Sequence, residues 1–179
     1  MFPTELADKA EHLLQECRER NIHLVTAESC TGGLIGGALT EIAGSSDVVE
    51  GGYIVYSNHA KMTLLGVLDA TLQAHGAVSS KTANEMAQGA LLHHKKEYAA
   101  TDTYLSVAVT GVAGPGGGSE EKPVGTVWFG CGIKHPNEDT ATVTTEKHIF
   151  PGNRSDIRAH TINNALDMLL KTAQDFPKK

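Results

Sequence analysis

The chain has 179 residues and a formal net charge of −6, with 15 lysines and arginines against 21 aspartates and glutamates. That balance argues against a broad nucleic-acid surface, which needs clustered Lys and Arg to neutralise phosphates. No apolar run approaches the ~20 residues that span a bilayer, so no membrane partner is expected.

The opening MFPTELADKAEHL turns polar too early for a signal peptide. Leu6, Ala10, Leu13 and Cys17 recur at helical spacing and predict an amphipathic helix from Thr4 to Arg20. IHLVTA then predicts a buried strand. After a turn at Ser29, GGLIGGALTEIA reads as a helix dense in glycine, each costing about 1 kcal/mol against alanine. A close neighbour would explain that density. GGYIVYS, Gly51 to Ser57, predicts a second strand, and NHAKMTLLGV a short helix.

Another helix follows Ser79 and Ser80, one of which is its cap, with Ala83, Met86, Ala87, Ala90 and Leu91 facing inward. The basic run HHKKEY, His93 to Tyr98, suits that helix's C-terminus as a solvated end. TYLSVAVTG and VGTVWFGCGI predict two strands joined by the loop VAGPGGGSEEKP, and TATVTTEKHIF a last strand. The final helix runs from Asn153 to Phe176, with Ile157, Ile162, Ala165, Leu166, Leu169 and Ala173 inward.

Early strands alternate with helices and so are expected to be parallel, whereas the late ones follow each other closely and read as antiparallel hairpins. The expected fold is a three-layer α/β/α sandwich with a mixed parallel/antiparallel sheet, forming a single domain over residues 1–179. Ligands of such sheets favour the carboxyl ends of strands. Those ends carry Glu28-Ser29-Cys30-Thr31, Tyr56-Ser57-Asn58 and Thr110-Gly111.

Ser29 has two readings. Serine ahead of a helix is most often an N-cap, a job Thr31 could also fill. A strained strand-to-helix turn is also how some hydrolases expose a nucleophile, with free N–H groups to bind an oxyanion and Gly32 and Gly33 admitting substrate. Cys30 is a rival nucleophile, though a lone cysteine is more often a small buried hydrophobe. Lys61 sits in the first turn of a short helix, where its cation opposes the dipole. A solvated side chain accounts for that, as does a buried amine of lowered pKa that takes a serine proton.

His59, adjacent to that helix, stays open as a partner of Lys61. None of the nine histidines builds HExxH or a compact cluster, so no metal is expected. Cys17, Cys30 and Cys131 show no CxxC or zinc spacing, which fits a reduced, cytoplasmic setting.

The glycine loop between Gly111 and Gly125, with Gly116 and Gly117 at its centre, is a long turn or an anion nest, closed by Lys122. Asn153 or Ser155 caps the last helix. Arg154 beside that cap opposes the dipole, a conflict that Asp156 or a bound phosphate would relieve.

TAESCTGGLIGGALTEIAGSS, GGYIVYSNHAKMTLLGV, HGAVS, VTGVAGPGGGSEEKPVGTVWFG and FPGNR together resemble the CinA C-terminal-domain family, from about Glu5 to Leu170. The characterised enzymatic members of that family are nicotinamide-nucleotide amidohydrolases. Many members carry a further N-terminal domain similar to molybdopterin-binding proteins, whose activities are not expected here. The resemblance implies deamidation of nicotinamide mononucleotide (NMN) to nicotinic acid mononucleotide and ammonia, in pyridine-nucleotide salvage and without metal or other cofactor.

It further implies Ser29 as nucleophile, Lys61 as general base and Tyr56 as a hydroxyl that orients or relays the proton. Backbone N–H groups from Cys30 through Thr31, Gly32 and Gly33 would hold the oxyanion. Asn58, Thr110, Gly111, Gly116 and Gly117 would line the pocket, and Arg154 would meet the phosphate. The family commonly shows Gly-Asp-Arg where this chain has Gly-Asn-Arg at 152–154, a change that keeps a cap and removes a charge. A nucleotide-binding module without turnover and an amidase for another phosphorylated amide are the alternatives. Symmetric dimers are the commonest soluble assembly, so a homodimer is the default expectation.

Overall fold

The computed structural model describes residues 2–93, 102–136 and 138–178. Strand β1 (Ile22–Glu28) is buried along nearly its whole length, as a continuous apolar run predicts. It pairs in parallel with β2 (Val49–Ile54) on one side and β3 (Thr103–Gly111) on the other. β3 pairs antiparallel with β4 (Thr126–Lys134), and β4 with β5 (Thr142–Ile149). The order is therefore β2-β1-β3-β4-β5, parallel where helices intervene and antiparallel where short links suffice.

Side-chain alternation sends the two faces of the sheet to different helices. Ile22 and Leu24 of β1, with Leu105, Val107 and Val109 of β3, pack against α1 (Thr4–Arg18), α2 (Leu34–Thr40) and α6 (Arg154–Gln174). Val25, Ala27 and Ala108 face α3 (Asn58–Leu65), α4 (Asp69–His75) and α5 (Ser80–His93). The result is the expected α/β/α layering around a mixed sheet.

Three local differences matter for the site. α2 begins at Leu34, so Gly32 and Gly33 belong to the turn before it. β2 stops at Ile54, which frees Ser57 to cap α3 by accepting from the Ala60 N–H at 3.0 Å. α4 is an additional short helix, with Leu72 its only buried residue. Beyond His93, the basic run lies outside the described residues. Among the described residues, no helix is long and apolar enough to cross a membrane, and no group of three or more His, Cys, Asp or Glu could hold a metal ion.

Candidate active site

The site lies where β1 and β3 end, at the carboxyl edge of the parallel strands. Ser29 follows β1 directly, and its N–H donates to the Val109 carbonyl of β3 at 3.1 Å. The chain then turns through Gly32 and Gly33, whose φ values of 64° and 94° suit glycine and strain other residues. Within α2, side chains at Gly36 and Gly37 would meet only ordinary contacts at 3.5 and 3.6 Å. Positive φ in the turn, rather than a tight neighbour along the helix, accounts for part of this glycine density.

Ser29 does not cap α2. The cap is Glu28, a residue 1 % exposed, whose carboxylate accepts from the N–H groups of Gly33, Ile35 and Gly36 at 2.8–3.0 Å and from Thr31 Oγ1 at 2.6 Å. Thr31 is thus a donor to Glu28 rather than a cap. From α6, Arg158 donates through Nη2 to the Thr31 carbonyl at 2.7 Å, so the turn is held from both sides.

The Ser29 hydroxyl is left to Lys61. Lys61 Nζ stands 3.0 Å from Ser29 Oγ, 2.8 Å from the Val55 carbonyl and 3.5 Å from the Tyr56 carbonyl. The lysine is 1 % exposed, and burial lowers its pKa from 10.5 to about 8. Nζ donates to the two carbonyls; toward Ser29 Oγ it donates as an ammonium, and as the neutral amine it accepts from the hydroxyl through its lone pair. A solvated cation at a helix start is therefore not what α3 presents.

Ser29 and Lys61 open into a cavity of about 310 Å³ whose wall also includes Cys30, Tyr56, Asn58, Thr110, Gly111, Gly116, Gly117 and Arg154. That volume is at the lower end of the about 300–1,000 Å³ of small-molecule sites. Thr31, Gly32 and Gly33 do not line it. A larger groove of about 460 Å³, between the start of α1 and α6, contains neither Ser29 nor Lys61.

Arg154 enters from the opposite side of the cavity. Asn153 caps α6 by accepting from the N–H groups of Ser155 and Asp156, and Asp156 accepts in return from the Asn153 N–H. The Arg154 guanidinium donates to the Gly114 carbonyl at 2.8 Å and to the Tyr56 hydroxyl at 3.3 Å, both neutral acceptors. The glycine loop is anchored from outside, because Lys122 Nζ donates to the His75 carbonyl at the end of α4 at 2.8 Å. Thr110 Oγ1 donates to the Ala77 carbonyl at 2.7 Å.

Residues 6–173 match the CinA C-terminal domain. The chain belongs to that family. It is 41 % identical over 169 residues to a protein of Escherichia coli K12 named nicotinamide-nucleotide amidohydrolase PncC, covering 94 % of this chain and 95 % of that protein. A CinA-like protein of Mycolicibacterium paratuberculosis is 49 % identical over 152 residues, 85 % of this chain and 33 % of that protein; the chain thus spans about a third of such longer relatives. The crystal structure of the competence/damage inducible protein CihA from Agrobacterium tumefaciens superposes with a TM-score of 0.83 at 44 % identity, covering 96 % of this chain and 97 % of that one.

In this CinA domain, the residues expected at the site differ in what they contact. The Tyr56 side chain is 64 % exposed and its hydroxyl accepts from Arg154, while its backbone carbonyl is the part that lies against Lys61. The N–H groups of Gly32 and Gly33 are taken, by the Ser29 carbonyl and by Glu28, which removes them as oxyanion donors. Cys30 is buried, and burial pushes its thiol up to about 11, against a nucleophilic thiolate. His59, left open as a partner of Lys61, is exposed. Glu28 and Arg158 are what reading the sequence missed; a carboxylate just before Ser29 was visible, but its partners three to eight residues ahead were not.

Proposed function

We propose that this chain is an amidohydrolase that removes the carboxamide nitrogen of NMN as ammonia and leaves nicotinic acid mononucleotide. One observation carries the reading: a buried lysine of lowered pKa lies 3.0 Å from a serine hydroxyl, at the wall of a cavity that also holds an arginine with neutral partners. The similarity to PncC along almost the full length of both chains supports the choice of substrate.

Neutral Lys61 accepts the Ser29 proton as Oγ attacks the amide carbon. The tetrahedral oxyanion is met by the N–H of Cys30, which lines the cavity, since the N–H groups of Ser29, Gly32, Gly33, Ile35 and Gly36 are engaged and Thr31 lies outside it. Lys61, now an ammonium, returns the proton to the departing nitrogen and ammonia leaves. Water, deprotonated by Lys61, then attacks the Ser29 ester, releasing the carboxylate and restoring the hydroxyl. Arg154 supplies charge for the phosphate, with Gly116 and Gly117 of the glycine loop alongside. Pyridine-nucleotide salvage in the cytoplasm is the setting this reaction fits.

Ammonia release from purified protein supplied with NMN tests the reading, with nicotinamide and NAD as controls. Release from NMN that is abolished in Ser29→Ala is expected. Bound NMN without ammonia would mean a nucleotide-binding module, and release only from a different phosphorylated amide would reassign the substrate.

A further inference from the structure

Glu28 takes no part in the chemistry above, yet it is the most heavily bonded side chain at the site. Its Oε2 accepts from Thr31 Oγ1 at 2.6 Å and from the N–H groups of Gly33 and Ile35, each at 3.0 Å, while Oε1 accepts from the Gly36 N–H at 2.8 Å. A carboxylate only accepts, so all four donors are met without mismatch. Three of them are the N–H groups a helix start leaves without intrahelical partners. Glu28 is also the residue directly before Ser29, and the Ser29 N–H is fixed on Val109. The nucleophile therefore stands on a backbone tied to β3 at one end and to the buried carboxylate at the other.

We infer that Glu28 is a positioning residue for Ser29: by binding Thr31 and the first turn of α2, it fixes the strand-to-helix turn that keeps Ser29 Oγ in reach of Lys61 Nζ. The role rests on the amidohydrolase reading where turnover is measured, but not where phosphonylation of Ser29 is. Glu28→Gln preserves the shape and replaces one oxygen by an NH2 group, which confronts a donor whichever way the amide is turned. Thr31→Val removes the side-chain bond alone.

Active Ser29 is counted by titration with a fluorophosphonate, in which Oγ displaces fluoride from phosphorus, and ammonia release from NMN is expressed per titrated site. Turnover per site is expected to fall about 10- to 100-fold in Glu28→Gln, with KM within about threefold, as small misplacement of a nucleophile does. Thr31→Val falls less, and the double variant loses less than the product of the two single effects, because both remove one shared bond.

Fewer titratable sites, each turning over at the wild-type rate, would mean a purely structural carboxylate and overturn the inference. The fluorophosphonate rate itself is expected to drop in parallel. Wild-type protein that is phosphonylated at Ser29 but frees no ammonia would reject the amidohydrolase reading, while slower phosphonylation of Glu28→Gln would still uphold the positioning role and an equal rate would refute it. Should Glu28→Gln fail to fold, Thr31→Val decides by the same two rates.

Discussion

Lys61 concentrates the site's electrostatics in one side chain. Its pKa falls from 10.5 to about 8 because burial disfavours the ammonium. The base is thus largely protonated at pH 7 and free above about 8, so kcat/KM for NMN is expected to rise with pH through an apparent pKa near 8. Lys61→Ala is expected to remove most turnover along with that limb. Stability has a matching signature: between about 8 and 10.5 the unfolded chain holds a proton on Lys61 that the folded chain has lost, so this residue's contribution to stability improves as pH rises. Urea unfolding of wild type and Lys61→Met should therefore show a stability difference that most favours the variant at pH 7 and shrinks by pH 10. A difference independent of pH would contradict the lowered pKa. Cys30→Ala, which keeps the backbone N–H, is expected to retain most ammonia release, because the thiol at about 11 is protonated at working pH.

Short elements, rather than long ones, place the reacting groups, and their ends decide the geometry. The α6 start is the clearest case: Asn153→Ala removes the acceptor for Ser155 and Asp156, and is expected to cost about 1 kcal/mol in urea unfolding. Because Arg154 is the next residue, the same change is expected to raise KM for NMN while leaving kcat nearly unaltered, in the same direction as Arg154→Ala but smaller.

Element ends also mark where the sequence was readable. The cap of α6 could be narrowed locally to Asn153 or Ser155, because the partners of Asn153 lie two or three residues ahead. The start of α2 could not: serine before a glycine-rich run resembles a cap, whereas the acceptor is Glu28 and the helix begins only at Leu34. α4 gave no periodic signal, since a seven-residue helix with one buried side chain contains no stripe to detect. The Arg154 to Tyr56 contact joins residues 98 apart and belongs to tertiary structure alone.

Across the whole molecule, the strand directions followed from connection lengths and apolar runs, which is why the mixed α/β/α architecture was legible before any contact was known, whereas the strand order was not. The pairing of Ser29 with Lys61 has a different origin: it depends on how the layers pack. α5 lies against β3 and β4 on one side and against α3 on the other. A methyl group at Gly89 of α5 would fall 1.9 Å from the Leu65 carbonyl at the end of α3, a clash with backbone that no rotamer relieves. Gly89→Ala must therefore push apart two helices, one of which carries Lys61. It is expected to destabilise the fold by about 1–3 kcal/mol and to lower kcat, although Gly89 does not line the cavity. Gly116→Ala is the control for stability, since nothing lies within 4 Å of the added methyl. If Gly89→Ala matched wild type in both urea midpoint and kcat, the α3 to α5 contact would not be what holds the base against the nucleophile.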